Sequence, residues 1–206
     1  MKYKGFAFLV FLFISHLTIG QELNCTVTVN SDRMTDVNPQ IFKNLEHDED
    51  GLYKLRIVYD LDKKFTTQLI PYAIPEIENF QLVENNSYDY SFKFEDRKEF
   101  ERMKTKAKTE EIIVVKNNHI TDTSYTNILF LKGKEWFTPT TYLLNGVMRQ
   151  HLLHEKKIKE TEITLQNIKE FSHFQLINAM NDFDDMFIYP IERIVNLPES
   201  SDYLGV

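Results

Sequence analysis

The sequence predicts an α+β fold. Extended segments rich in Ile, Leu, Val and Tyr recur along the chain, a few charged or amphipathic stretches carry helix formers between them, and no internal repeat or low-complexity tract replaces that mixture. With 206 residues, 42% of them hydrophobic, there is material for one large domain or two small ones.

The elements follow in order. MKYKGFAFLVFLFISHLTIG sets Lys2 and Lys4 ahead of an apolar run from Phe6 and closes on Thr18 and Gly20, the layout of a secretory signal peptide over 1–20, cleaved after Gly20. A membrane anchor is the competing account, but Ser15 and His16 interrupt the run, which is short of the roughly 20 residues a span needs. No stable anchor is expected after cleavage. Glu22, Leu23 and Asn24 ahead of Cys25 lack the small residues of a lipid-processing site. Residues 23–29 alternate as a strand and 30–40 are turn-rich. EHDEDG, 46–51, looks a little like a calcium loop, yet the twelfth position is Ile57, so a solvated turn is the better account.

Strands are expected at 52–59, 65–72 and 80–83. Residues 95–108 read as a mostly exposed helix, with Phe94, Glu101 and Met103 among lysines. Further strands are expected at 111–116, 126–131, 136–138, 159–163 and 174–177, with helices at 147–156 and 165–171.

Charge and cysteine content exclude several classes. A net charge of -7 with no long Lys/Arg cluster argues against nucleic acid as a partner. A lone cysteine, Cys25, rules out an intrachain disulfide and a multi-cysteine metal site.

Four groups stand out chemically, each with an ordinary explanation beside it. Lys93 lies among Tyr88, Tyr90, Phe92 and Phe94, where aromatic surroundings would desolvate an ammonium and lower its pKa from about 10, as a Schiff-base lysine requires; most lysines at strand ends are simply solvated. Asp122 in ITDTSYTNILF is an acid in a strand-like run, by default a turn aspartate. In LLNGVMRQHLL, Gly146 precedes a helix start, so the N–H groups of Val147 and Met148 face an anion or merely begin a helix. Asn178 and Ala179 end an apolar strand in the same manner. His151 and His154 have metal-ligand spacing but no third ligand, and read as solvated; no metal site is expected. The sequons at Asn24 and Asn85 say little about chemistry.

In order, YSFKFEDR, HITDTSYTNILF, TPTTYLLNGVMRQHLL and FQLINAM closely resemble the class IV aminotransferase family of pyridoxal-phosphate enzymes, from about Leu45 to Arg193. That family includes branched-chain and D-amino-acid aminotransferases and aminodeoxychorismate lyase. The resemblance implies a class IV aminotransferase-like fold, an enzyme acting on a small-molecule amino substrate as transferase or lyase, pyridoxal 5'-phosphate as cofactor, and a homodimer. It implies Lys93, followed by Arg97 as in the family's lysine segment, as the residue that carries the cofactor and shuttles the substrate proton. Asp122 would stand where the family usually has glutamate, facing the pyridine nitrogen. Asn127 would help hold that strand and loop. Val147 and Met148 would offer N–H groups to the phosphate, with methionine where the family often has a threonine hydroxyl. Asn178 and Ala179 would form the second phosphate turn.

The front of the chain departs from the pattern. The family's phosphate-gripping arginine helix has no counterpart, Arg33 lying in a different context, and its loss costs roughly 1.5 to 3 kcal/mol of binding. Residues 1–46 instead resemble the mature start of an exported family associated with type IX secretion and gliding. The expected organisation is a signal peptide at 1–20, a fragment of that exported family at 21–46, a truncated N-terminal subdomain at 47–90 and a cofactor-binding C-terminal subdomain at 91–206. The alternative is a non-enzymatic exported protein or an inactive fusion fragment. The leader points to the periplasm and the enzyme body to the cytoplasm.

Overall fold

The structure is a computed structural model that describes residues 8–17, 51–59, 65–91, 96–181, 183 and 187–199. The expected strand at 23–29, the acidic turn at 46–50, Cys25, Arg33 and Lys93 fall outside the described residues. The chain divides into two compact units, Met1–Ile74 and Pro75–Val206.

The first unit carries a three-stranded antiparallel sheet in the order β1 (Phe8–Leu17), β2 (Gly51–Tyr59) and β3 (Phe65–Pro71). The apolar run read as a leader supplies β1, paired with β2 from Phe8 against Tyr59 to Leu17 against Gly51. Along β3, half-buried Thr67 and Leu69 alternate with exposed Gln68 and Ile70, as the period-two pleat dictates. Among the described residues, no helix is long and apolar enough to cross a membrane.

The second unit opens with a strand–helix–strand crossover: β4 (Phe80–Glu84), α1 (Lys98–Ala107) and β5 (Glu111–Lys116), β4 and β5 being parallel. A tight turn at Asn117–Asn118, both at positive φ, folds β5 back into β6 (His119–Thr123). Asparagine tolerates that conformation better than most residues, and paired positive φ values match a hairpin's twist. Next come β7 (Asn127–Lys132), β8 (Glu135–Pro139), α2 (Val147–His154), β9 (Lys159–Thr161), β10 (His173–Ile177) and β11 (Ile188–Pro190). These strands form a second sheet in the order β11-β10-β7-β8-β9, antiparallel except for β8 with β9.

Backbone bonds tie strands of the first sheet of this unit to segments flanking strands of its second. Ile120 N donates to Ile163 O over 2.8 Å, Val195 N to Phe80 O over 2.9 Å, and Thr123 N to Thr126 O over 3.0 Å at the β6–β7 corner. β5 explains how both sides are filled. Its sequence EIIVVK sends Ile113 and Val115 into a core with Phe80, Phe130 and Phe174, and Ile112 and Val114 into a second core beneath α1. That is why the run reads as continuously apolar.

Two expectations need correction and one needs a refinement. The stretch around helix α1 is mostly exposed, as expected, but Phe100, Met103 and Ala107, at helical spacing, form one face that is buried against Tyr90 and Leu143. The helix expected at 165–171 is only a 3-10 turn at Ile168–Glu170. There the Asn167 side chain accepts from Thr164 N and donates to Glu162 O, and Leu165 N donates to Asn118 O, so local and cross-chain partners take the groups a helix would pair. The strand at 159–163 ends at Thr161, because Ile163 and Thr164 leave β8 to pair with β6.

Candidate functional site around Asn127

Asp122 is near the end of β6 and Asn127 begins β7, so the corner between the strands brings their side chains together. Thr123 shapes that corner: its Oγ1 accepts from Thr126 N over 3.0 Å. Asn127 Nδ2 donates to Asp122 Oδ1 and to Leu144 O, each over 2.8 Å. The other carboxylate oxygen, Oδ2, accepts from Leu143 N and Leu144 N at 2.8 and 2.9 Å. Asp122 is therefore no turn aspartate. It is 5% exposed and fastens the β8–α2 loop to β6.

Burial pushes the Asp122 carboxyl up to about 6, against the pull of its three N–H donors and the Arg149 charge. Arg149 is 3% exposed, donates to Asn145 Oδ1 and Pro139 O at 3.0 Å each, pairs with Glu160 and lies 4.6 Å from the Tyr142 ring centre.

Helix α2 begins one residue after Gly146, its N-cap, which has no side chain to cap the first turn. No acidic residue sits in that turn, and among the described residues the N–H groups of Val147 and Met148 have no acceptor. Glycine is required here by packing: a Cβ at Gly146 would lie 2.1 Å from Asn127 Oδ1. On the other side of Asn127 is β10, whose Ile177 is its register partner. The chain then turns at Asn178–Asn181, where Asn178 Oδ1 accepts from Met180 N and Asn181 N at 2.6 and 2.9 Å. Asn178 thus builds the turn, and Ala179 N–H is left without an acceptor among the described residues. Two sets of N–H donors accordingly flank one asparagine.

Lys93 lies outside the described residues, but both edges of its segment are fixed. Tyr90 on one side is buried, and Arg97 on the other donates to the Tyr90 hydroxyl over 3.2 Å and to the Ser124 carbonyl, two residues past Asp122. A cleft of about 380 Å³ beside this region is lined in part by Ser91, Lys116, Tyr142 and Asn145. His151 and His154 are exposed on α2 and join none of this.

The sequence profile of the family described as Amino-transferase class IV matches residues 26–194. The chain belongs to the class IV aminotransferase family. The match reaches well upstream of the Leu45 limit read from the motifs. A curated protein of Haemophilus influenzae, uncharacterized in function, is 36% identical over 136 residues, which are 65% of this chain and 71% of the relative. A crystal structure from Haemophilus somnus assigned as a 4-amino-4-deoxychorismate lyase is 33% identical, with a TM-score of 0.60, over 65% of this chain and 69% of that one. An aminotransferase from Brucella abortus bound to PLP shares the fold at 18% identity and a TM-score of 0.51, over 76% of this chain and 67% of that one. The expected α+β, class IV aminotransferase-like fold is the observed one.

The donor set suits a phosphorylated pyridine cofactor of this family. Oδ1 of Asp122 accepts one bond and keeps a lone pair, while the N–H groups at the start of α2 and at Ala179, which find no acceptor among the described residues, suit a dianion. Sequence reasoning missed Glu111, Arg149 and Ser124. Glu111, 1% exposed, accepts from Ser124 N over 2.8 Å and pairs with Lys104 at 3.0 Å. Arg149 carried a signal, since it shares the buried stripe of α2 with Leu152 three residues on.

Proposed function

We propose that this chain is a pyridoxal 5'-phosphate enzyme that acts on a small amino substrate, with 4-amino-4-deoxychorismate cleavage as the leading activity and amino transfer to a 2-oxo acid as the second. The observation that carries the proposal is the set around Asn127: a buried carboxylate on one side of it, and on the others N–H groups at α2 and at Ala179 without acceptors among the described residues. The likeness to the Haemophilus somnus structure supports the lyase reading. The family match favours an enzyme over the non-enzymatic alternative.

When bound, the cofactor supplies an electron sink for bond breaking next to the substrate's amino group. Lys93 would hold the cofactor covalently and move the proton at the substrate's α-carbon. Val147, Met148 and Ala179 would hold the phosphate through backbone N–H groups, with the α2 dipole adding to the attraction. Asp122 would keep a proton on the ring nitrogen. That cation in turn would draw the Asp122 pKa down from about 6, relieving the cost of a buried charge. Leu143 and Leu144 fix the carboxylate's direction through their N–H groups.

The test is a titration of the purified chain with pyridoxal phosphate, followed by borohydride and peptide mapping. Label on Lys93, lost in Lys93→Ala, supports the assignment; uptake unchanged in Lys93→Ala sinks it. Turnover of 4-amino-4-deoxychorismate without an added 2-oxo acid identifies a lyase, whereas turnover that requires the acceptor identifies a transferase.

A further inference from the structure

Arg149 is the third residue of α2 and is buried although it carries a charge. Its guanidinium reaches back along the loop that joins β8 to α2. Nη2 donates to Pro139 O, where β8 ends, and Nη1 to Asn145 Oδ1, one residue ahead of the helix cap, both over 3.0 Å. Tyr142, between them in the loop, sets its ring centre 4.6 Å from the guanidinium carbon. Glu160 on β9 pairs with Nη2, while Nε–H finds no acceptor among the described residues. A buried cation with one donor unpaired costs stability, and an apolar side chain of similar volume would fill the space at less cost. Its grip on both ends of one loop calls for a reason beyond packing.

The middle of that loop has a task. Leu143 N and Leu144 N donate to Asp122 Oδ2 over 2.8 and 2.9 Å, and Leu144 O accepts from Asn127 Nδ2 over 2.8 Å. Two consecutive N–H groups converge on one oxygen only while the peptides between them stay turned toward it, which requires the ends of the loop to keep their places. Arg149 holds those ends with two nitrogens of one rigid plane. A lysine carries the same charge on a flexible stem and does not serve both acceptors in that geometry.

We propose that Arg149 is a positioning residue that, by clamping the loop at Pro139 and Asn145, aims the Leu143 and Leu144 N–H groups at Asp122 Oδ2 and so leaves Oδ1 as the oxygen that faces the cofactor ring. The proposal rests on the reading of Asp122 as the partner of the ring nitrogen. Charge and geometry are separable here. Burial raises the Asp122 pKa, and against it pull the N–H groups of Leu144, Asn127 and Leu143 and the Arg149 charge. Arg149→Lys keeps the charge and releases the loop.

Cofactor-free protein gives the first readout. In Arg149→Lys, and in Asn145→Ala, which keeps the arginine and removes one end of the clamp, hydrogen exchange at Leu143 and Leu144 should quicken about tenfold or more relative to the amides of β10. The Asp122 carboxyl should titrate at higher pH in both variants, read by carbon-13 NMR. Asn145 is exposed, so its variant is the reporter if Arg149→Lys does not fold. Uniform quickening that tracks the melting temperature would overturn the positioning role. A folded Arg149→Lys whose Asp122 titrates as in wild type would also overturn it, because charge alone would then account for the arginine.

The second readout compares pyridoxal 5'-phosphate with the analogue that has carbon in place of the ring nitrogen and keeps the aldehyde and the phosphate. Arg149→Lys should weaken binding of pyridoxal phosphate about tenfold, and binding of the analogue by no more than about twofold, the precision of such a comparison. Equal losses for the two probes, with the exchange and titration changes as expected, would overturn the link from the clamp to the ring nitrogen and leave the clamp itself standing. Wild-type protein that takes up neither probe would overturn the cofactor reading, while the exchange and titration results still decide whether Arg149 orders the loop.

Discussion

Asn127 Nδ2 lies 2.8 Å from Asp122 Oδ1 and is also 2.8 Å from the Leu144 carbonyl, so one amide ties β6, β7 and the loop ahead of α2 together. Asn127→Ala leaves both acceptors without that donor. Leaving buried polar groups unpaired costs roughly 1 to 3 kcal/mol, which urea denaturation would read as a lower midpoint at unchanged slope. The same bond lowers the Asp122 pKa, so carbon-13 NMR of the carboxyl should show its titration moving upward in the variant. An unmoved titration would mean that the bond is not formed in solution.

Gly146→Ala is expected to destabilise the same corner for a steric reason. The backbone at Gly146, φ -67°, suits any residue, so strain is not the issue; the added methyl would sit 2.1 Å from Asn127 Oδ1, at the end of a short side chain already held by two bonds. A double-mutant cycle isolates that contact. The cost of Gly146→Ala, about 1 to 3 kcal/mol alone, should largely vanish in the Asn127→Ala background. Additive costs would place the clash elsewhere.

The pH dependence of stability follows from Asp122. Its folded-state pKa of about 6 lies above the ordinary 3.8, so the folded chain favours the protonated acid. That contribution is present in full below about 3.8 and is lost as the pH rises through about 6. Between pH 3 and pH 7 the stability of wild type should therefore fall relative to Asp122→Asn by about 3 kcal/mol in the cofactor-free protein. Guanidinium melts of the pair across that range provide the comparison. A shift in favour of wild type with rising pH would show that a cation already neutralises Asp122 without cofactor.

Much of the architecture was legible because the strands carry it on their surfaces. β5 and β10 are apolar runs between turns, and the Gly146 helix start and the β10 end stand where the motifs place them. Side-chain partners from distant parts of the chain were not legible. Nothing in EIIVVK marks Glu111, its first residue, as buried; its partners Lys104 and Ser124 come from α1 and from the β6–β7 corner. Asp122 reads as a turn residue because two of its three donors, Leu143 and Leu144, are about twenty positions away and offer only backbone. The buried face of α1 was hard to see for a related reason: charged residues outnumber its apolar ones, but Phe100, Met103 and Ala107 share one face.

That face yields the last prediction. Phe100 is 1% exposed, and its ring meets Tyr88 and Tyr90 edge-on at centroid distances of 5.1 and 5.0 Å. Phe100→Ala opens a cavity that the neighbouring Met103, Ile112 and Leu143 only partly fill, and such truncations cost about 3 to 5 kcal/mol. Phe100→Leu, which keeps most of the volume, should cost less than half as much. Because the Arg97 guanidinium lies over this ring, Phe100→Ala should also loosen the Tyr90–Arg97–Ser124 chain. Hydrogen exchange at the β6–β7 corner would then quicken more than at β10, which packs in the other core. Uniform acceleration across both would indicate global destabilisation and no special link between α1 and that corner.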